Sequence, residues 1–334
     1  MRCALLPILM ILTCIVPGCV GMRFIIDITP SRDDLTETTV MEDDGARLGP
    51  GASAGKIALI DVTGLIIDAE RKGIVARGEN PVARFAEALR KAGKDTNVKA
   101  VIVRINSAGG TVTASDVMYR ELKHFRGQSG KPVVVLMADV AASGGYYLSC
   151  AGDEVIAHPT TVTGSIGVIM QTFNFSAGMS RIGIKADAIT SGPNKKVGTP
   201  FEPMPPEHRA LLQGIVNEFY ANFLAVVKEN RTGLSEADLE WITDGRIVTG
   251  ARAAEVGLID RLGDLRDAFD AAKERAGVLR ARLVKYHRPL DYVGSAYSEA
   301  PIGSPGASLI ELNIAAPPLS DQVGFYYLWD PTVW

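Results

Sequence analysis

The sequence predicts an α/β protein built on a mainly parallel sheet, with further helices toward the C-terminus. Three observations carry that expectation. Short apolar runs at 57–62, 98–105 and 133–138 alternate with stretches of helical periodicity. The segments between these runs are long enough for the crossover helices that parallel pairing requires. The second and third runs lead into glycine-rich turns, Arg104-Ile-Asn-Ser-Ala-Gly-Gly110 and Ala141-Ala-Ser-Gly-Gly145. The carboxyl ends of parallel strands are where such sheets collect their sites.

The chain opens on a segment of a different kind. Met1-Arg2 supplies one positive charge, Ala4 to Val16 is almost wholly apolar, and Pro17-Gly18-Cys19 closes the run. This is the pattern of a secretory signal. The stretch to Met22 is also nearly long enough for an uncleaved membrane span. Val16-Pro17-Gly18-Cys19 resembles a bacterial lipobox, which makes Cys19 a lipidation candidate, although Pro17 departs from that pattern. Residues 1–19 are therefore expected to be a signal, lipobox or membrane anchor. All three place the body on the extracytoplasmic, periplasmic side of a bacterial cell membrane. Residues 20–55 are charged and then rich in Gly, Ala and Ser, with little periodicity, and are expected to form a flexible linker.

From Lys56 the pattern becomes regular. The run 57–62 is a strand, and Val82, Phe85, Ala86 and Leu89 mark an amphipathic helix over 81–92 behind Asn80-Pro81. A buried strand over 98–105, a helix over 114–124, a strand over 133–138 and a helix from about Ser143 follow. Shorter strands are expected near 154–157, 166–170 and 184–189, and a long helix over 206–229 behind Pro203-Met-Pro-Pro206. These elements set a body over 56–277 and a less regular extension over 278–334. The last ten residues, 325–334, include five aromatics and are too apolar for a free tail. They suit packing on the body or on a neighbouring subunit, or a strand that mimics a peptide and inhibits.

Composition narrows the function. A chain of 334 residues with a net charge of −3 and no basic run argues against nucleic-acid binding. Of the four cysteines, Cys3, Cys14 and Cys19 lie in the export segment, so Cys150 has no partner for a disulfide within the body. It reads as a small buried hydrophobe.

The chemistry lies in the turns. Ser143, beside two glycines where a strand gives way to a helix, is placed to expose its Oγ, and the N–H of Gly144 to meet a developing oxyanion. Its plainer role is a helix cap. The loop at Gly109 and Gly110 should lie beside it and offer further backbone N–H groups. A serine nucleophile needs a base. His124, His158, His208 and His287 each read as surface or core residues. The alternative is a lysine in the loop Ser191-Gly-Pro-Asn-Lys195-Lys196, and the residues alone do not choose between Lys195 and Lys196. With an ordinary pKa near 10.4, only about one lysine in 2,500 is neutral at pH 7. The base must therefore sit in a desolvated pocket with its amine hydrogen-bonded. Ser165, in Thr163-Gly-Ser-Ile-Gly-Val168, is placed to orient it.

Taken together, these segments resemble the signal peptide peptidase A (SppA) family, serine peptidases of the ClpP/crotonase superfamily. The similarity runs from about Lys56 to Gly277 and includes Thr249-Gly-Ala-Arg-Ala-Ala-Glu-Val-Gly-Leu-Ile-Asp260. It implies repeated β-β-α units and a Ser-Lys dyad with Ser143 as nucleophile, Lys195 as base and Ser165 orienting the lysine. It also implies backbone oxyanion donors at Gly109, Gly110 and Gly144. No metal or cofactor is implied. The expected partners are peptide substrates such as signal-peptide remnants, the membrane through the N-terminus, and further copies of the chain. In such assemblies the resemblance also allows a neighbouring protomer to supply the lysine. Two positions depart from the family pattern: Ala108 replaces a proline, and Lys196 stands where an acidic residue commonly follows the lysine. The rivals are a non-catalytic membrane scaffold of the same fold and a crotonase-like acyl-CoA enzyme.

Overall fold

The computed structural model describes residues 35–43, 55–70, 79–289, 293–298 and 324–329. The export segment with Cys19 and most of the expected linker lie outside them. In chain order the elements are β1 (Thr36–Glu42), β2 (Gly55–Thr63), α1 (Pro81–Lys94), β3 (Val98–Ser107), β4 (Gly109–Thr111), α2 (Val112–Ser129) and β5 (Val133–Ala142). Then come α3 (Gly144–Ser149), β6 (Glu154–Ala157), β7 (Val162–Gly164), α4 (Ser176–Arg181), a 3₁₀ turn (Pro193–Lys196), α5 (Pro206–Asn230) and α6 (Glu236–Ile242). β8 (Ile247–Thr249), α7 (Gly250–Glu255), β9 (Arg261–Leu262), α8 (Leu265–Ala276), β10 (Ala281–His287) and β11 (Tyr326–Leu328) complete the chain.

The main sheet runs β1-β10-β2-β3-β5-β6-β9, with β7 paired to β5 and β8 to β7. All its pairings are parallel except β1·β10 and β7·β8. The expected mainly parallel α/β sheet is what forms. The alternation of side chains explains its two apolar faces. Val101, Val103 and Ile105 of β3 join Phe85 and Leu89 of α1 and Met118 and Leu122 of α2 in one cluster. Ala100 and Ile102 of the same strand join Leu265, Ala268, Phe269 and Ala272 of α8 in the other. Burial on both faces is why these strands read as unbroken apolar runs.

The helices start and stop where local chemistry tells them to. Asn80 accepts from the N–H groups of Val82 and Ala83 at 2.9 and 3.2 Å ahead of α1, with Pro81 in its first turn. Thr111 caps α2, and Gly130 closes it in the left-handed region at φ 64°.

Three expectations need correction. Residues 36–42 are not linker but strand β1, paired antiparallel to β10. Their polar alternation, Thr-Glu-Thr-Thr, suits an edge strand half open to water. The body does not end at 277, because β10 lies inside the sheet between β1 and β2. Its Lys285, 3% exposed, disguised it; the charge is matched by Asp61 at 2.5 Å. Finally, 166–170 and 184–189 are not strands. The first contributes one bridge, Ile169 to Tyr326, and the second is exposed, with Ile189 fully in water.

Candidate active site

β5 and β7 run side by side with Ala142 opposite Gly164. Each strand ends one residue later on a serine in a conformation that side chains avoid: Ser143 at φ 51° and Ser165 at φ 50°. Among the described residues these are the non-glycine positions with positive φ. Such backbone costs on the order of 1–3 kcal/mol and persists only where its surroundings impose it. Here the imposition is visible. The N–H of Ser143 donates to Gly164 O at 2.8 Å, and that of Ser165 to Arg246 O at 2.7 Å.

Ser143 leads directly into α3, whose residues are all buried. The side chain of Ser143 makes no capping bond, and its Oγ is buried without a hydrogen-bond partner. This removes the plain capping role. A serine turned out of a strand-to-helix corner, with the next N–H left over from the helix, is the geometry of a nucleophile elbow.

The glycine loop comes up against that corner as expected. A Cβ on Gly109 would lie 2.8 Å from the amide nitrogen of Gly144, and a Cβ on Gly144 would lie 3.1 Å from that of Gly110 and 2.4 Å from Ser115 Oγ. The three glycines are thus packed backbone to backbone. Gly110 is fixed on its other side by Ile66, whose carbonyl accepts from Thr111 N–H at 2.9 Å. One of the three expected oxyanion donors is already committed: Gly109 N–H donates to Ser107 Oγ at 3.1 Å, and that hydroxyl donates to Gly64 O at 2.6 Å. That leaves the amide of Gly144 and that of Gly110, which faces the Tyr327 carbonyl across the β4·β11 pairing. Ser107 and Ser115 escaped sequence reasoning because a buried serine that props a loop has no pattern.

Lys195 is not brought to Ser143 within the chain. It sits on the 3₁₀ turn with its side chain exposed and, among the described residues, makes no side-chain hydrogen bond or ion pair. The desolvated pocket expected for it is not formed by this chain, because 171–205 lies open along most of its length. Lys196 is engaged elsewhere, at 2.5 Å from Glu202. His208, a core residue of α5, holds the turn by donating from Nε2 to Pro193 O at 3.2 Å. His124 and His158 are exposed, and His287, at the end of β10, is hydrogen-bonded through Nε2 to the hydroxyl of Thr38 on the neighbouring β1 at 2.9 Å. None of the four reaches the Ser143 hydroxyl.

A parallel-sheet α/β body with a strained serine at a strand–helix corner beside glycine amides is the architecture of a serine peptidase. The model of Peptidase family S49 matches residues 126–279. Protease 4 of Haemophilus influenzae is 35% identical over 219 residues, 66% of this chain and 34% of that one. An Enterococcus faecium relative named "Putative signal peptide peptidase SppA" is 32% identical over 254 residues, 76% of this chain and 71% of its own. A solved structure, a mutant of the 1510-N membrane-bound stomatin-specific protease, superposes with a TM-score of 0.43 at 17% identity over 66% of this chain and 85% of its own. The chain spans about a third of the length of the Protease 4 relatives it matches. It belongs to peptidase family S49, with SppA among its relatives.

Proposed function

We propose that this chain is a membrane-associated serine endopeptidase that degrades released signal peptides or other short apolar peptides through a Ser143–Lys195 dyad. The observation that carries the reading is the hydroxyl of Ser143: buried, unpartnered and held on a strained corner beside the amides of Gly110 and Gly144. The name of the Enterococcus faecium relative suggests the substrate class, and the N-terminal segment is the proposed tether on the periplasmic side.

In the proposed reaction the neutral amine of Lys195 takes the proton of Ser143, whose Oγ attacks a peptide carbonyl. The Gly110 and Gly144 amides hold the oxyanion, and Ser165 orients the lysine. Collapse of the tetrahedral intermediate expels the amine, which takes the proton back, and water hydrolyses the acyl-enzyme. Because Lys195 is exposed in the single chain, we assign it to the Ser143 of a neighbouring copy. Supporting this, the same segment exposes Phe173, Phe175, Ile182, Ile184, Ile189 and Phe201, each at 44% or more. An apolar surface of that extent is characteristic of an interface. α5 adds an 18-residue apolar window only 11% buried.

Mixing tests both the dyad and its sharing. Ser143→Ala and Lys195→Ala chains are each expected to be inert toward an apolar peptide and a fluorophosphonate. Co-refolded, they form mixed sites in which one intact serine faces one intact lysine, and activity returns to a fraction of wild type. Activity in Lys195→Ala alone would move the base elsewhere. A wild type inert at every pH would favour a scaffold.

A further inference from the structure

The two serine corners hang on one peptide group. The carbonyl of Gly164 accepts from Ser143 N–H at 2.8 Å, and the amide of the same peptide bond, Ser165 N–H, donates to Arg246 O at 2.7 Å. A peptide unit is planar and stiff. The plane between Gly164 and Ser165 therefore passes the placing of Arg246 O on to both corners. Hydrogen bonds chained through a peptide group also polarise and strengthen one another. The approach is close: Gly164 has φ 85°, and a Cβ there would come within 2.9 Å of Arg246 O and 3.6 Å of Ile242 Cδ1.

Arg246 is fixed in turn by the connection between α6 and β8. The β7·β8 ladder pairs Gly164 with Ile247, and Arg246 stands one residue before that strand begins. Asp244 Oδ1 accepts from both the backbone N–H and Nε of Arg246, at 3.0 and 2.9 Å, and its Oδ2 accepts from Nη2 at 2.6 Å. The guanidinium lies over the indole of Trp241, 4.3 Å from the ring centre. Trp241 itself packs on the apolar cluster that includes α1 and α2. The side chains of Arg246 and Asp244 are 37% and 49% exposed. An ion pair that open to water contributes little to stability. A forked carboxylate contact with an aromatic face behind it does, however, fix orientation.

We propose that Arg246 is a positioning residue for the reaction: clamped by Asp244 and Trp241, its carbonyl sets the Gly164–Ser165 peptide plane and, through it, the hydroxyls of Ser143 and Ser165. The inference rests on the reading of Ser143 as nucleophile and of Ser165 as the residue that orients the lysine. Without the clamp the plane is free to turn, and a misplacement of reacting groups by about 1 Å costs about a hundredfold in rate. The loss falls on kcat and leaves KM in place, because the clamp acts on the reacting groups and not on the binding of peptide.

The test takes the full chain with Arg246→Ala and reads kcat and KM on an apolar peptide, the rate of fluorophosphonate labelling at Ser143, and the melting temperature. The kcat and the labelling rate are expected to fall at least about tenfold with KM held within about twofold. The melting temperature is expected to move by no more than about 3 °C, as for a weak surface pair. Asp244→Asn still accepts at Oδ1 and is expected to recover most of the kcat lost in Asp244→Ala; this pair carries the comparison should Arg246→Ala fail to fold. Arg252→Ala removes the second cation beside Trp241, 4.9 Å from its ring centre, and is expected to match wild type. Equal labelling of wild type and Arg246→Ala, a loss confined to KM, or equal losses in Asp244→Asn and Asp244→Ala overturns the positioning role alone. A wild type that no fluorophosphonate labels overturns the reading of Ser143 as nucleophile, and the positioning role with it.

Discussion

Replacing Ser143 by alanine is expected to make the protein more stable while removing its chemistry. The residue stands immediately before α3, yet its hydroxyl makes no capping bond and is buried without a partner. A buried, unpaired hydroxyl costs about 1–3 kcal/mol. Removing it leaves a void of one oxygen atom, worth a few tenths at about 24 cal/mol per Å³. The Cβ remains, so the backbone strain at φ 51° is unchanged. The net is a gain of about 1–2 kcal/mol, or roughly 2–6 °C in melting temperature for a protein of this size. An ordinary capping serine behaves oppositely, losing about 0.5–2 kcal/mol on the same change. Calorimetric melting of the two chains, with fluorophosphonate labelling alongside, reads both effects. A lower melting temperature for Ser143→Ala would refute the reasoning, because the hydroxyl would then be holding the helix. Ser143→Gly should gain further, since glycine tolerates positive φ and the relief exceeds its entropic cost of about 0.5–1 kcal/mol.

Gly110→Ala should abolish activity and cost several kcal/mol, for its Cβ would fall 1.8 Å from Ile66 O, a backbone atom that cannot move alone; loss of peptide cleavage and an early urea midpoint check it. Cys150 is fully buried and its thiol is pushed up to about 11 by that burial, so a thiol reagent at pH 8 should leave it unmodified until denaturant is added. Acid should weaken the sheet through Glu154. Burial pushes its carboxyl up, but bonds from Arg261 and Arg275 outweigh this and hold it below the ordinary 4.5. A carboxyl depressed in the folded state contributes stability above its unfolded pKa and loses it as pH falls through the folded one. The melting temperature should therefore fall below about pH 4.5, and Glu154→Gln should shallow that fall.

The parts of the fold legible in the sequence are those whose burial is two-sided or whose caps are local. β2, β3 and β5 are continuous apolar runs, and α1 announces itself through Asn80-Pro81 and its apolar spacing. What stayed hidden depends on partners far along the chain. β1 has no apolar run of its own and exists because β10 lies beside it. β10 contains a lysine whose cost is met by Asp61 from β2. The corner at Ser143 and the glycine loop could be read from residue type and order alone. That Gly109 N–H is spent on Ser107 could not, since it depends on one hydroxyl's rotamer. The aromatic tail was recognisable as something that must pack. Its seat on β4 was not, because strand addition depends on backbone groups that every residue carries.

The pairing of β1 with β10 has a practical consequence for anyone shortening this chain. The sequence invites a start at Lys56, just after the polar stretch. Such a chain would lack β1 and leave the outer side of β10 as a row of unsatisfied backbone donors and acceptors. Bare strands of that kind pair with their own copies and precipitate. It would also strip Lys56 of Glu37, one of the two carboxylates that hold its ammonium. Soluble material should therefore begin upstream of Leu35, and aggregation of a shorter form would report a missing border strand, not an unstable enzyme.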